Sequence, residues 1–188
     1  MSTLVLKLNL ALAILSCIAW ILASPLPVYN KTNSDGCLTF WGLKNDCHEY
    51  KLDAALGDVV GFCDLLLQNI RIASAFCILA LVTTAALVAV SVYLYATENV
   101  DPGRWVLIGM NVAAFVFGFL SFIFLTTGYQ MTFCGSLRLV DSTWRLGSGF
   151  FMVCCGMGFT IVALGAHYVL DPPSFDTVGE ISKGQDEL

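Results

Sequence analysis

The apolar residues of this chain are gathered into four long blocks that polar segments separate. The blocks run over about 4–24, 72–96, 105–128 and 146–170. Each reaches the roughly 20 residues that a helix needs to cross about 30 Å of hydrocarbon. The second block carries no charged residue on any helical face, whereas a helix of a soluble protein shows a polar stripe. The pattern therefore predicts four transmembrane helices.

The composition supports the same interpretation. Of the 188 residues, 57% are hydrophobic and only 12% are charged, with a mean hydropathy of +0.79. A soluble domain carries about 25% charged residues, so these residues could not cover a water-exposed surface. Aromatic residues, which favour membrane–water interfaces, lie near the block ends: Trp20, Tyr93, Tyr95, Trp105, Tyr129, Trp144 and Tyr168. We predict an all-α membrane protein, in which a single domain over 1–188 forms a four-helix bundle.

The first block also has features of a secretory signal peptide, because Lys7 precedes an apolar run. That run, Leu8–Ala23, is at the long end for a signal-peptide core. A cut after Ala23 would place Ile21 at the third position upstream, where a small residue is preferred, with Pro25 just beyond the cut. We therefore expect a retained first span. The C-terminus is expected in the cytosol with or without that cleavage.

The distribution of basic residues points against this orientation. The predicted outer loops, 25–71 and 129–145, carry Lys31, Lys44, Lys51, Arg71, Arg138 and Arg145. The predicted cytosolic segments carry Lys7, Arg104 and Lys183. By the positive-inside rule alone, the protein would be inverted.

A sequon and the cysteines favour the orientation with the long loop outside. Asn30-Lys31-Thr32 is an N-glycosylation sequon, which is used only on the lumenal side, and we predict glycosylation of Asn30. The predicted outer loops also hold four of the eight cysteines: Cys37, Cys47, Cys63 and Cys134. Cysteines gathered on one side indicate an oxidising compartment. We expect a plasma-membrane protein with both termini, including the acidic tail 171–188, in the cytosol.

Local patterns predict secondary structure inside the long loop and close contacts between the spans. The β-forming run Cys37–Trp41 lies between Gly36 and Gly42 and predicts a short strand. An amphipathic helix leading into the second span is predicted from the stripe Leu52, Leu56, Val59, Cys63 and Leu66. Close packing of the last two spans is predicted from Ala114 with Gly118, Gly149 with Gly156, and Gly158 with Gly165.

The sequence offers no convincing catalytic or metal site. His48 lies beside Cys47, but the further ligands of a tetrahedral zinc site are missing from the pattern. Asn111 is the clearest polar residue at mid-depth, and we interpret it as an interhelical hydrogen-bonding residue. Arg71 lies at the outer boundary of the second span, whereas ion-coupled transport needs ionisable groups at membrane depth. We predict no enzymatic activity, no cofactor, no metal and no nucleic-acid partner.

The loop segment with the sequence CLTFWGLKNDC resembles the signature of the amastins, surface glycoproteins of kinetoplastid parasites. In this eleven-residue pattern, two cysteines flank a hydroxyl residue, an aromatic residue, a glycine, a basic residue and a polar or acidic residue. The matching positions are Cys37, Thr39, Phe40, Trp41, Gly42, Lys44, Asp46 and Cys47. The four-span layout extends the resemblance over the whole chain.

A weaker similarity relates the chain to the claudins. Trp41, Gly42, Leu43 and Cys47 match a claudin set in a different order, and Leu67–Arg71 resembles the claudin motif before the second span. The resemblances imply a claudin-like fold, a left-handed bundle topped by a small sheet. They also imply a parasite surface glycoprotein. Our first hypothesis for its function is an interaction protein, whose first outer loop contacts a host membrane, a host surface protein or a second copy. The alternative function is a small-solute or ion transporter or channel.

The cysteines of the signature suggest one disulfide and a candidate for another. Cys37 and Cys47 enclose nine residues, with Gly42 available for a turn, and are the expected pair. Cys63 with Cys134 is a second candidate bridge, which would tie the two outer loops together.

The aromatic pair in this loop is expected to divide between core and surface. We expect Trp41, which offers the largest apolar area, to be buried under the outer sheet. Phe40, on the opposite side of the predicted strand, and Lys44 at the predicted turn are then expected to face outward as candidate contacts.

Overall fold

Four long helices dominate the computed structural model, which describes residues 3–48, 52–55, 64–97, 103–131, 139 and 143–170. They are α1 (Thr3–Ala23), α2 (Asp64–Thr97), α3 (Gly103–Gln130) and α4 (Ser148–Leu170). Each is long and apolar enough to cross a membrane, which confirms the four predicted spans. With 34 residues, α2 is about 51 Å long, so it extends beyond the hydrocarbon layer.

A small antiparallel sheet caps one end of the bundle. Its strands are β1 (Tyr29–Lys31), β2 (Cys37–Leu38), β3 (Gly42–Lys44), β4 (Ala54–Ala55) and β5 (Trp144–Leu146). They lie in the order β4-β3-β2-β1-β5. We call this the sheet end of the bundle, and the end with Thr3, Thr97, Gly103 and Leu170 the opposite end.

The structure corrects two of the predicted elements and adds one. The strand predicted over Cys37–Trp41 stops at Leu38, because the chain turns before Gly42 and returns as β3. The helix predicted from Leu52 is wrong over 54–55, which form β4, since pairing with β3 satisfies the backbone there. The remainder of that prediction, 56–63, lies outside the described residues. The second loop contributes β5, which pairs with β1 along its full length.

Backbone and side-chain hydrogen bonds fasten the sheet to the helices. Gly147 N donates to Val28 O at 2.7 Å, and Gly149 N donates to Pro27 O at 2.8 Å. The hydroxyl of Tyr29 donates to Leu125 O in α3 at 2.6 Å. Burial raises the pKa of that hydroxyl, so it stays protonated and able to donate. The sheet is therefore held against α3 and the start of α4.

Trp20 of α1, which the sequence grouped with interfacial aromatic residues, is instead fully buried in the bundle interior. A Cβ added to Gly118 would lie 2.7 Å from Trp20 Cη2, and one added to Gly156 would lie 2.7 Å from Trp20 Cε2. The indole thus fits only because glycines line it on α3 and α4. Trp20 Nε1 donates to Ser16 Oγ at 3.1 Å, and Ser16 Oγ donates to Gly156 O at 3.0 Å. These contacts join α1 to α4, as the predicted small-residue packing requires.

The small residues of α4 divide between the interior and the outer surface. Gly149 lies against the segment after α1, since its added Cβ would be 2.8 Å from Leu26 O. Gly158 and Gly165 are exposed, and an added Cβ would meet no atom within 4 Å at either position. The predicted Gly158–Gly165 pair therefore makes no contact within the described bundle.

Candidate functional site

The segment with the signature forms a β-hairpin of β2 and β3, closed by a disulfide between Cys37 and Cys47. Leu38 faces Leu43 in the ladder, and Thr39 N donates to Gly42 O at 2.9 Å. Phe40 and Trp41 are therefore the two residues at the tip, in the short loop that tight hairpins favour. The predicted Cys37–Cys47 pair is present in the structure.

Two further signature residues shape this tip. The hydroxyl of Thr39 donates to Gly42 O at 3.0 Å and accepts from the backbone N–H groups of Trp41 and Gly42, each at 3.2 Å. A Cβ on Gly42 would collide with the carbonyl oxygen of Ala54, because β4 lies close against β3. Glycine is thus required where the hairpin meets its neighbouring strand.

The assignment of the two aromatic residues is corrected. Phe40 is only 2% exposed and belongs to the core cluster beneath the sheet, whereas Trp41 is 46% exposed. In a strand, neighbouring side chains point to opposite faces, which is why one of the two was expected inside and the other outside. These residues instead occupy a two-residue turn that points toward the helices. Phe40 enters the core, and the Trp41 indole lies beside the end of α1, where its Nε1 donates to Ser24 Oγ at 3.0 Å.

Trp41 lies at the level of the membrane-spanning part of α2. It lines a small cavity together with Ser74, Ile78 and Leu81 of that helix. Ile78 and Leu81 fall inside the second apolar block, so the indole is beside hydrocarbon while its N–H meets a hydroxyl group. This is the environment of an interfacial tryptophan, and it places the hairpin tip against the protein's own bilayer.

Lys44 also differs from its predicted position. It is 8% exposed, because it faces Cys37 in the ladder and lies on β3 between β2 and β4. The sequence placed it at a turn, but the turn is at Phe40 and Trp41, before β3 begins. The prediction that Phe40 and Lys44 form an outward contact pair is therefore wrong.

The outward surface lies instead at the other ends of the same strands. Because the tip meets the helices, the ends opposite it point away from the bundle. We define the distal rim as residues 31–35 and 45–48. Within it, residues 31–35, Asn45 and His48 are exposed, and Asp46 and Cys47 are half-buried.

Backbone contacts hold the distal rim in one shape. Cys47 N donates to Asp35 O at 2.9 Å, next to the disulfide. Thr32 N donates to Thr143 O at 2.6 Å, which ties the rim to the segment before β5. His48 N donates to Asp46 Oδ1 at 2.8 Å, so this histidine takes part in a local turn. The rim is therefore a polar surface with a defined backbone.

Other predicted site residues fall outside this surface or outside the described chain. Asn30 is half-buried on β1 between β2 and β5, and its glycosylation stays a prediction. Arg71 is exposed on α2, and its carbonyl oxygen accepts from Ser74 Oγ at 2.8 Å. Cys63 and Cys134 lie outside the described residues, so their bridge also stays a prediction.

A second polar group lies inside the bundle, in its half nearer the opposite end. We define the buried polar cluster as Asn9, Ser91, Asn111 and His167, one residue from each helix. Asn111 Nδ2 donates to Asn9 Oδ1 at 2.9 Å, and Asn9 Nδ2 donates to Ser91 Oγ at 3.2 Å. His167 Nε2 lies 3.2 Å from Asn9 Oδ1. The interhelical role predicted for Asn111 is thus present.

Sequence reasoning missed the other members of this cluster. Asn9 could have indicated the cluster, since it is a lone amide within the first apolar block. In lipid, such a group is stabilised by partners on neighbouring helices. His167 lies near the end of the fourth apolar block in the sequence, and the bundle geometry brings it to Asn9.

The fold and these contacts define a class, a four-span membrane protein with a disulfide-closed sheet at one end of its bundle. The family model described as amastin surface glycoprotein matches residues 11–166, which include the hairpin and parts of all four helices. The chain belongs to this amastin family and is a multi-pass surface membrane protein. No curated protein matches the chain.

Proposed function

We propose that this amastin is an interaction protein of the parasite surface, whose distal rim contacts a host membrane or a host surface protein. The observation that supports the proposal is the exposure of polar residues 31–35 on a frame held by the Cys37–Cys47 disulfide. A contact surface whose backbone is ordered in advance loses less conformational entropy when a partner binds.

The remainder of the signature hairpin is engaged within the protein and its bilayer. Phe40 and Lys44 are buried, and Trp41 contacts the end of α1 and lines a cavity with α2. These residues support the rim from below and leave it as the accessible part of the hairpin. The role proposed for the first outer loop therefore moves from its aromatic tip to its opposite edge.

The proposal requires the sheet end to face outward, with both termini in the cytosol. The disulfide and the sequon at Asn30 support this orientation, since both belong to the secretory side of a membrane. A tag at the C-terminus tests it. Antibody should reach the tag only after cells are permeabilised, and labelling of intact cells would contradict the orientation.

The rim is tested by a double substitution, Asn33→Arg with Ser34→Arg. Both side chains are exposed in the β1–β2 turn, so the variant should fold and reach the surface while its contact chemistry changes. The matched control is Gln130→Arg, an exposed position at the sheet end of α3. Adhesion of displaying cells to host cells is measured after correction for the amount at the surface. We expect loss of adhesion in the rim variant alone. Equal adhesion of both variants would refute the distal rim as the contact surface.

The buried polar cluster is the observation that favours the alternative, a small-solute or ion transporter, because polar side chains at membrane depth commonly line pathways. Trp20 argues against a pathway along the axis of one copy, since it fills the space between Gly118 and Gly156. Ion flux into vesicles that contain the purified chain separates the two functions. Our proposal expects no flux above that of empty vesicles, whereas flux that Asn9→Leu abolishes would establish the alternative.

A further inference from the structure

An open groove lies between α3 and α4 at the opposite end of the bundle, far from the hairpin. Its volume is about 640 Å³, within the range of small-molecule sites. The walls include Arg104, Trp105 and Ile108 from α3 and Leu164, Gly165 and Tyr168 from α4. No feature of the amastin signature contributes to it.

The surroundings of the groove indicate what occupies it. Both walls belong to helices that are apolar and long enough to span the membrane, so the groove faces bilayer lipid. Trp105 and Tyr168 are largely exposed beside it, as aromatic residues are at a membrane–water interface. Gly165 leaves the middle of the groove open, because an added Cβ there would meet nothing within 4 Å. An extended apolar chain entering sideways from the bilayer fits this shape.

The arginine among the described lining residues, Arg104, lies where a lipid headgroup would be. Arg104 is the second residue of α3, at the level of the interface, and its side chain is half-buried in the groove wall. A guanidinium group matches the geometry of phosphate oxygens. We propose that this groove binds a phospholipid from the adjacent leaflet, with its phosphate at Arg104 and an acyl chain along Ile108, Leu164 and Gly165.

The groove is also connected to the buried polar cluster. His167 lines the groove, and its Nε2 lies 3.2 Å from Asn9 Oδ1 inside the bundle. A lipid in the groove would therefore cover the side of α4 that anchors the cluster. Phospholipid binding would hold α3 and α4 in place at the end where no strand of the described residues connects them.

The test uses two glycines of the same helix. The full chain is placed in nanodiscs of phosphatidylcholine that contain a phosphatidic acid with a photoreactive acyl chain, and labelled peptides are identified by mass spectrometry. Gly165→Phe should fill the groove and lower labelling of its peptides by at least about tenfold. The control, Gly158→Phe, adds the same side chain at another open, exposed position two turns away and should label like the parent. Both variants should elute from a size-exclusion column as the parent does, which shows that they are folded. Equal labelling of the two folded variants would refute phospholipid binding in the groove.

The phosphate contact is tested separately. Arg104→Gln should weaken labelling by phosphatidic acid and by a photoreactive phosphatidylcholine, since both carry the phosphate. A photoreactive diacylglycerol, which lacks phosphate, should label the parent chain poorly. If diacylglycerol labels as well as the phospholipids do, or if Arg104→Gln changes nothing, the phosphate assignment is wrong.

Discussion

Replacing Phe40 by alanine should destabilise the sheet end of the protein far more than replacing Trp41, although tryptophan is the larger residue. Phe40 is 2% exposed within the cluster beneath the sheet. Burying a phenylalanine side chain contributes about 1.5–3 kcal/mol. The cavity left behind adds to that loss, so Phe40→Ala should cost about 3–5 kcal/mol. This is a large fraction of the roughly 5–15 kcal/mol that stabilises a typical domain.

Trp41→Ala removes less, because 46% of this residue is exposed. The substitution deletes the hydrogen bond from Nε1 to Ser24 Oγ, which contributes about 0.5–1.5 kcal/mol. It also uncovers part of the cavity against α2. A total loss of about 1–2 kcal/mol follows from the hydrogen bond and the partial burial.

The two variants are compared by surface display and by thermal unfolding of the purified protein in nanodiscs. Phe40→Ala should be largely retained inside the cell, whereas Trp41→Ala should reach the surface with a modestly lower unfolding temperature. The double variant should resemble Phe40→Ala alone, since the hairpin tip has then already lost its anchor. A Trp41→Ala protein less stable than Phe40→Ala would refute the placement of both side chains.

Three further tests address other parts of the structure. Gly42→Ala should lower stability by about 1–3 kcal/mol, because its Cβ would overpack against β4. The control is Gly36→Ala, where an added Cβ would make only ordinary contacts, and it should stay within about 0.5 kcal/mol of the parent. Equal unfolding temperatures of the two variants would contradict this prediction. Asn9→Leu should lower stability by about 1–2 kcal/mol, because Asn9 is the centre of the buried polar cluster, and Ser91→Ala should lower it by about 0.6 kcal/mol. A Ser91→Ala protein that unfolds at a lower temperature than Asn9→Leu would contradict the central position of Asn9. Enzymatic deglycosylation should shift the parent band on a gel and leave Asn30→Gln unchanged, whereas an unshifted parent would show that the sequon is unused.

The sequence by itself determined the number of spans, whereas the single strand that it predicted over Cys37–Trp41 is a hairpin in the structure. Blocks of apolar residues long enough to cross a bilayer are a property of the chain in one dimension, so no contact between them needs to be known. The close Cys37–Cys47 pair was likewise predictable, since the cysteines enclose only nine residues. The interhelical role of Asn111 followed from the need of a polar group in lipid for a partner.

Only the tertiary structure decided which way the hairpin tip faces and which segments meet. Phe40 and Trp41 are neighbours with similar chemistry, and their burial depends on how a two-residue turn rests against the helices. The pairing of β1 with β5 joins segments more than one hundred residues apart, and no local pattern encodes their register. His167 meets Asn9 only because α1 and α4 pack side by side. Such contacts depend on the relative positions of whole elements, which the assembled bundle sets.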